Sequence, residues 1–174
     1  MSDDEFSLRM HGAGISAVAS GLPAGQVDLH ARRIAHRISS RRWKAVDNAA
    51  ATLERLASYG LQLALVSNFT SDLPSILHDV QLGRYFSCVI VSEIVQVWKP
   101  DPRILQLAVE RLSREPEECA YIGDHPYDVK CADSAGLRSI WLNPPEQAMP
   151  EETACEADYE ITSLDELVEL FGVR

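Results

Sequence analysis

The stretch YIGDHPYDVKCADSAGL, residues 121–137, sets an apolar run ahead of two carboxylates, Asp124 and Asp128, and closes on a glycine. CAYIG, 119–123, reads as a buried strand. The residues after it place Val129, Ala132 and Ala135 on one helical stripe, and Gly136 supplies the left-handed stop. RSIWL, 138–142, follows as another strand. Apolar strand, loop, helix and apolar strand in this order form the repeating unit of a parallel sheet with helices on both faces, so the expected fold class is α/β.

The same alternation extends toward the N-terminus. Asp47 is placed to cap a helix with stripe Ala50, Leu53, Leu56 and Ala57, ended by Gly60, and LQLALV, 61–66, is the next strand. A helix carrying Leu73, Ile76, Leu77 and Val80 tolerates Pro74 because a first-turn N–H has no helical partner. CVIVS, 88–92, is a strand, and 101–113 a helix with Ile104, Leu105, Ala108 and Leu112 inward. DYEIT and a helix over Leu164–Leu170 close the edge. Residues 1–45 differ in kind: HGAGISAVASGLPAG gives no periodicity, and only Val27, Ala31, Ile34, Ala35 and Ile38 share a helical stripe. The expected division is therefore a partial helical N-terminal segment, 1–45, and an α/β core, 46–174.

With 174 residues, 46% of them hydrophobic, one domain of ordinary size accounts for the chain. A net charge of −10 argues against nucleic acid or an anionic membrane as the main partner, since both need a basic footprint. MSDDEF lacks the positive charge and apolar run of a secretory leader, which makes the expected location cytoplasmic. Cys88, Cys119, Cys131 and Cys155 have no metal-ligand rhythm and read as free thiols.

Three groups of polar residues each follow the carboxyl end of an expected strand, the rim where open parallel sheets bind ligands. Ser67 and Asn68 come after the first, Lys99 shortly after the second, and Asp124 directly after the third with Asp128 four residues on. A hydroxyl with neighbouring backbone N–H groups holds an anionic oxygen, and paired carboxylates suit Mg2+, which takes oxygen ligands together with substrate phosphate. Each group also has a plainer reading: Ser67 as a helix cap, Lys99 as a solvated charge before a turn, and the two acids as caps of the following helix. The order of all three on successive strands favours a phosphate and magnesium site. The basic cluster Arg32, Arg33, Arg37, Arg41, Arg42 and Lys44 is either a solvated helix face or a steering patch for an anionic substrate. His36, His78 and His125 show no metal-binding arrangement; His125 either contacts substrate or shapes its turn.

LALVSNF, VSEIVQVWKPDPRILQLAVERL and AYIGDHPYDVKCADSAGLRSIWL resemble the second, third and fourth motifs of the haloacid dehalogenase superfamily, in its phosphatase-like branch. The resemblance runs from about residue 42 to about residue 143. It implies a Rossmann-like sheet, a remnant helical cap at the N-terminus, and Mg2+-dependent hydrolysis of a small phosphorylated molecule. By motif position Ser67, Asn68 and Lys99 would hold the phosphoryl group, with Ser67, Lys99 and Asp124 as the catalytic set. Asp124 and Asp128 would hold Mg2+, directly or through water. Members that cleave carbon–halogen bonds tend to lack this acid pair, so a dehalogenase is the weaker reading.

The family's first motif, a strand-borne nucleophilic aspartate in an hhhDxDGT pattern, has no counterpart. Asp3 and Asp4 follow no strand, and Asp28 lies at the mouth of a helical stripe. The missing strand is the family's central one. GISAVAS, 14–20, can substitute for it, the flanking strands can pair directly, or a segment of another chain can enter, which makes a homo-oligomer by strand exchange conceivable. A truncated reading frame is a further explanation. A non-catalytic protein that binds a phosphorylated ligand or a protein partner is the alternative function.

Overall fold

The computed structural model describes residues 43–145 and 156–173. The chain divides into two compact units, Met1–Trp43 and Lys44–Arg174, and the elements below belong to the second. The expectations for the cap remnant, the 14–20 strand, Asp3, Asp4, Asp28, His36 and the arginines of the basic cluster lie outside the described residues, as does Cys155.

The order is α1 (Ala49–Ser58), β1 (Ala64–Ser67), α2 (Leu73–Asp79), β2 (Cys88–Val91), α3 (Ser92–Val95), α4 (Arg103–Leu112), β3 (Ala120–Gly123), α5 (Pro126–Ala135), β4 (Arg138–Leu142), β5 (Tyr159–Ile161) and α6 (Glu166–Leu170), with short 3-10 turns at Gly83–Tyr85 and Pro116–Glu118. Two differences from the sequence reading have local causes. Asp47 does not cap α1; Asn48 takes that position in a left-handed conformation without a side-chain cap. β1 starts at Ala64 rather than Leu61 because Leu61 N–H closes the end of α1 on Leu56 O.

All strand pairs are parallel, and they form two sheets instead of one. β1 pairs with β2, Ala64 opposite Cys88 through Ser67 opposite Val91. β3 pairs with β4, and β4 with β5. Direct pairing of the flanking strands is thereby corrected: among the described residues β1 and β3 share no ladder. The Tyr121 hydroxyl of β3 donates to Val66 O of β1 at 3.0 Å.

Strand alternation divides the core. Val66 and Ile90 pack with Ile104, Leu105, Ala108 and Val109 of α4 and with Cys131 and Ala132 of α5. On the opposite face Leu63, Ala120, Ile122 and Ile140 meet Leu56 of α1 and Leu167 and Val168 of α6. Leu65 and Val91 meet Leu73 and Leu77 of α2. Apolar cover on both faces is what a parallel sheet requires. Ile104, with no exposed surface, sits between α4 and the sheet. Ile104→Ala is expected to cost about 2–5 kcal/mol, read from the urea midpoint; a loss below about 1 kcal/mol would contradict its placement in this core. No helix among the described residues is long and apolar enough to cross a membrane.

Candidate active site

The loops after β1, β2 and β3 are tied to one another by hydrogen bonds. Asn68 holds the backbone of Lys99 from both sides: Lys99 N–H donates to Asn68 Oδ1 at 2.8 Å, and Asn68 Nδ2 donates to Lys99 O at 3.0 Å. Buried Ser92 makes a similar clamp, accepting from Phe69 N–H at 3.0 Å and donating to Phe69 O at 3.2 Å. These two amide-like pairings fix the carboxyl end of β1 against the chain leaving β2. The Lys99–Pro100 bond is cis.

From that clamp the Lys99 side chain reaches β3 and α5. Its Nζ lies 2.7 Å from Asp128 Oδ1, and the two side chains are 13% and 6% exposed. Nζ also donates to the Tyr121 hydroxyl at 2.8 Å, which in turn donates to Val66 O at 3.0 Å. An ammonium carries three N–H donors, so two contacts leave one for a ligand. Burial by itself would lower the Lys99 pKa; Tyr121 and Asp128 outweigh it and hold the ammonium above the ordinary lysine value. Burial pushes the Tyr121 phenol up to about 12 and the Cys131 thiol up to about 11.

These shifts share one sign in the stability balance. A raised lysine pKa stabilises the fold below its unfolded value, and that stabilisation is lost as pH rises through the folded value. A raised phenol or thiol pKa penalises the fold once pH passes the unfolded value. Stability is therefore expected to be insensitive to these groups at neutral pH and to fall above about pH 9–10, measured as the urea midpoint against pH. A midpoint that is unchanged up to pH 11 would overturn the buried cluster.

Asp128 lies in the first turn of α5, where backbone geometry directs its carboxylate back along the helix. Oδ2 accepts from His125 N–H at 3.1 Å while Asp128 N–H donates to His125 O at 2.7 Å. Both carboxylate oxygens of Asp128 are thus engaged, one by Lys99 and one by the helix start. Its capping role in the sequence reading and its place beside Lys99 are both observed. His125 shapes the turn: its Nδ1 accepts from Tyr127 N–H at 3.1 Å, and the two rings lie 4.5 Å apart. His78 stands apart, beside Asp79 on the surface.

Asp124, at the mouth of β3, is exposed, and no hydrogen bond to a described residue engages its carboxylate. The Ser67 hydroxyl is likewise without a partner among the described residues. It does not cap α2, whose cap position is Asp72. Among the described residues no group of three histidine, cysteine or acidic side chains surrounds a common point. The donor set nevertheless fits Mg2+, which commonly uses one or two carboxylates and completes its shell with water and substrate phosphate. Asp124 is the carboxylate without a partner among the described residues, whereas each oxygen of Asp128 already meets one donor. Tyr121 and Ser92 escaped the sequence reading; alternation along CAYIG places Tyr121 on the face opposite Ile122, toward the chain that carries Lys99, and that was the only signal.

Residues 15–142 match the family model for haloacid dehalogenase-like hydrolases. The chain belongs to this family. Among its haloacid dehalogenase-like relatives, a phosphoserine phosphatase of Thermus thermophilus is 34% identical over 83% of the chain and 59% of its own length. The (S)-2-haloacid dehalogenase 4A of Burkholderia cepacia is 31% identical over 71% of the chain and 53% of its own length. A crystal structure of a HAD phosphatase from Thermococcus onnurineus superposes with a TM-score of 0.68 at 32% identity, covering 75% of the chain and 59% of that protein. The chain thus spans between half and three-fifths of these relatives. The family assignment agrees with the α/β fold and with the hydrolase and phosphatase likeness of its motifs.

Proposed function

We propose that this haloacid dehalogenase-like chain provides the phosphate and Mg2+ half of a phosphate-ester hydrolase site. The observation that carries the reading is the Lys99 ammonium, buried, paired with Asp128 and Tyr121 and left with one N–H that no described residue engages, on a loop held by Asn68; Ser67 ends β1 and Asp124 follows β3. A phosphoryl oxygen there would accept from Lys99, and the Ser67 hydroxyl would donate to a second oxygen. Asp124 and Asp128 would hold the metal ion, directly or through water, while Asp128 also orients Lys99. Bound Mg2+ supplies charge neutralisation on the phosphoryl oxygens. The substrate class is a small phosphorylated molecule.

Hydrolysis in this family's manner also needs a carboxylate nucleophile facing Lys99, and among the described residues no further carboxylate is hydrogen-bonded to Lys99. This favours a second reading, a protein that binds a phosphorylated ligand without turning it over. The two separate cleanly. Isothermal titration with inorganic phosphate is expected to show binding that strengthens at least tenfold with Mg2+, an enhancement abolished in Asp124→Asn while the urea midpoint stays unchanged, because Asp124 is exposed. Magnesium-dependent turnover of p-nitrophenyl phosphate, also lost in Asp124→Asn, selects the hydrolase; phosphate binding without turnover selects the binding protein. Phosphate binding indifferent to Mg2+ and to Asp124 would remove the magnesium-dependent hydrolase, and no phosphate binding at all would remove both. Halide release from a 2-haloacid without added metal is the outcome a dehalogenase would give.

A further inference from the structure

Tyr121 carries a hydroxyl where packing asks for none. Its ring rests against the core that includes Val66, Ile104, Leu105 and Cys131, and a phenylalanine ring would fill the same space. A hydroxyl brought into such surroundings costs free energy unless it is hydrogen-bonded. Here it is engaged in both directions. The O–H donates to Val66 O at 3.0 Å, and because a phenol has a single proton, the oxygen can only accept from the Lys99 ammonium, 2.8 Å away. Nζ is 5.3 Å from the ring centroid and much nearer the oxygen, so it lies beyond the hydroxyl and not against the ring face. The oxygen atom alone therefore carries the contact. Val66 directly precedes Ser67, and Lys99 belongs to the chain leaving β2. One hydroxyl on β3 thus ties the ammonium to the end of β1.

We propose that Tyr121 is a positioning residue of the anion site: its hydroxyl orients the Lys99 ammonium and keeps it in register with Ser67, so that both act on the same phosphoryl group. The proposal deepens the phosphate reading and rests on it for the ligand. Ammonium N–H bonds are tetrahedral, so the two held by Asp128 Oδ1 and the Tyr121 oxygen leave the third with one direction. A single anchor would leave it free to turn. Tyr121 is also the neutral one of the two anchors. Without it the ammonium is drawn onto the Asp128 carboxylate, because a charged acceptor holds it more strongly than a neutral one, and away from an incoming anion. Loss of the hydroxyl therefore weakens phosphate binding even though it lifts a competitor from Lys99. The same change takes from Val66 O the donor that the hydroxyl supplies, which loosens the end of β1 that presents Ser67.

Tyr121→Phe is the test, because it keeps the ring and removes one oxygen. In the 174-residue chain the Lys99 ammonium is followed by proton–nitrogen correlation NMR, assigned by its disappearance in Lys99→Arg, and the binding of inorganic phosphate by titration calorimetry. The parent is expected to give an ammonium signal protected from solvent exchange that shifts when phosphate is added. Tyr121→Phe should lose that signal to exchange and bind inorganic phosphate at least about tenfold more weakly, while Mg2+ affinity measured without phosphate stays that of the parent. A tyrosine that only fills space would change the urea midpoint and leave the ammonium signal and the phosphate affinity where they were, and that result would overturn the proposal. So would a parent without a protected ammonium signal, or an equal loss of Mg2+ and phosphate affinity in the variant. Loss of the signal in Tyr121→Phe with no phosphate binding in the parent would uphold the orienting role and remove the phosphate reading instead.

Discussion

Lys99→Met is expected to lower stability by about 3–5 kcal/mol and to abolish phosphate binding. Methionine keeps most of the apolar stem, so the loss reports the charge. Without the ammonium, Asp128 is left as a carboxylate with a 6% exposed side chain whose remaining bond is to His125 N–H. A buried charge deprived of its partner is among the few single changes that reach this size, and the whole fold is worth only about 5–15 kcal/mol. The double variant Lys99→Met with Asp128→Leu should recover much of the loss, because an apolar pair of similar size substitutes for a buried ion pair at little net cost. Phosphate binding should remain absent in both. Urea midpoints at constant m-value measure the stability part, and titration calorimetry the binding part. A single-variant loss below about 1 kcal/mol would mean a solvated lysine, and the rim would lose its organising contact.

How much of this the sequence carried differs between backbone and contacts. β4 was legible to the residue, because RSIWL carries the apolar run Ile140, Trp141 and Leu142, β-branched in its centre, and is closely bounded by Gly136 and Pro144. α5 was legible because Val129, Ala132 and Ala135 repeat at helical spacing and Gly136 adopts the left-handed stop, with φ 77°. β1 was displaced because Leu61 and Leu63 are as apolar as the strand itself; helix closure, which hydropathy does not encode, decides where pairing begins. In the site, order along the chain placed Ser67, Lys99 and Asp124 behind successive strands, and the hydrogen bonds through Asn68 and Tyr121 bring those loops together. It could not tell the two aspartates apart. Their roles diverge because Asp124 ends a strand and faces outward, whereas Asp128 is three residues into a helical turn and folds back onto Lys99. Tyr121 was hidden for a related reason: alternation marks it as a core residue, and its hydroxyl acquires a task only because no backbone N–H of a described residue meets Val66 O.

Gly123→Ala is expected to destabilise the protein by about 2–4 kcal/mol and to weaken phosphate binding at least tenfold, even though no ligand need touch residue 123. Glycine here is not needed for its φ, which lies outside the left-handed region. In such a conformation a change to alanine ordinarily stabilises by about 0.4–1 kcal/mol through the unfolded chain, so the sign of the result is itself diagnostic. A Cβ on residue 123 would overlap the Cβ and carboxyl carbon of Asp128, atoms held by the first turn of α5 and unable to swing away as a long side chain would. Relief requires α5 to move off β3 or Asp128 to leave both Lys99 and His125 N–H. Either way the lysine loses its orientation. Gly136→Ala provides the contrast: with φ 77° and only Pro116 nearby it should cost about 1 kcal/mol from backbone strain and leave phosphate binding intact. Paired urea and calorimetric measurements on the two variants separate a close approach from a backbone effect. A Gly123→Ala protein as stable as the parent would show that α5 does not rest on β3 through Asp128.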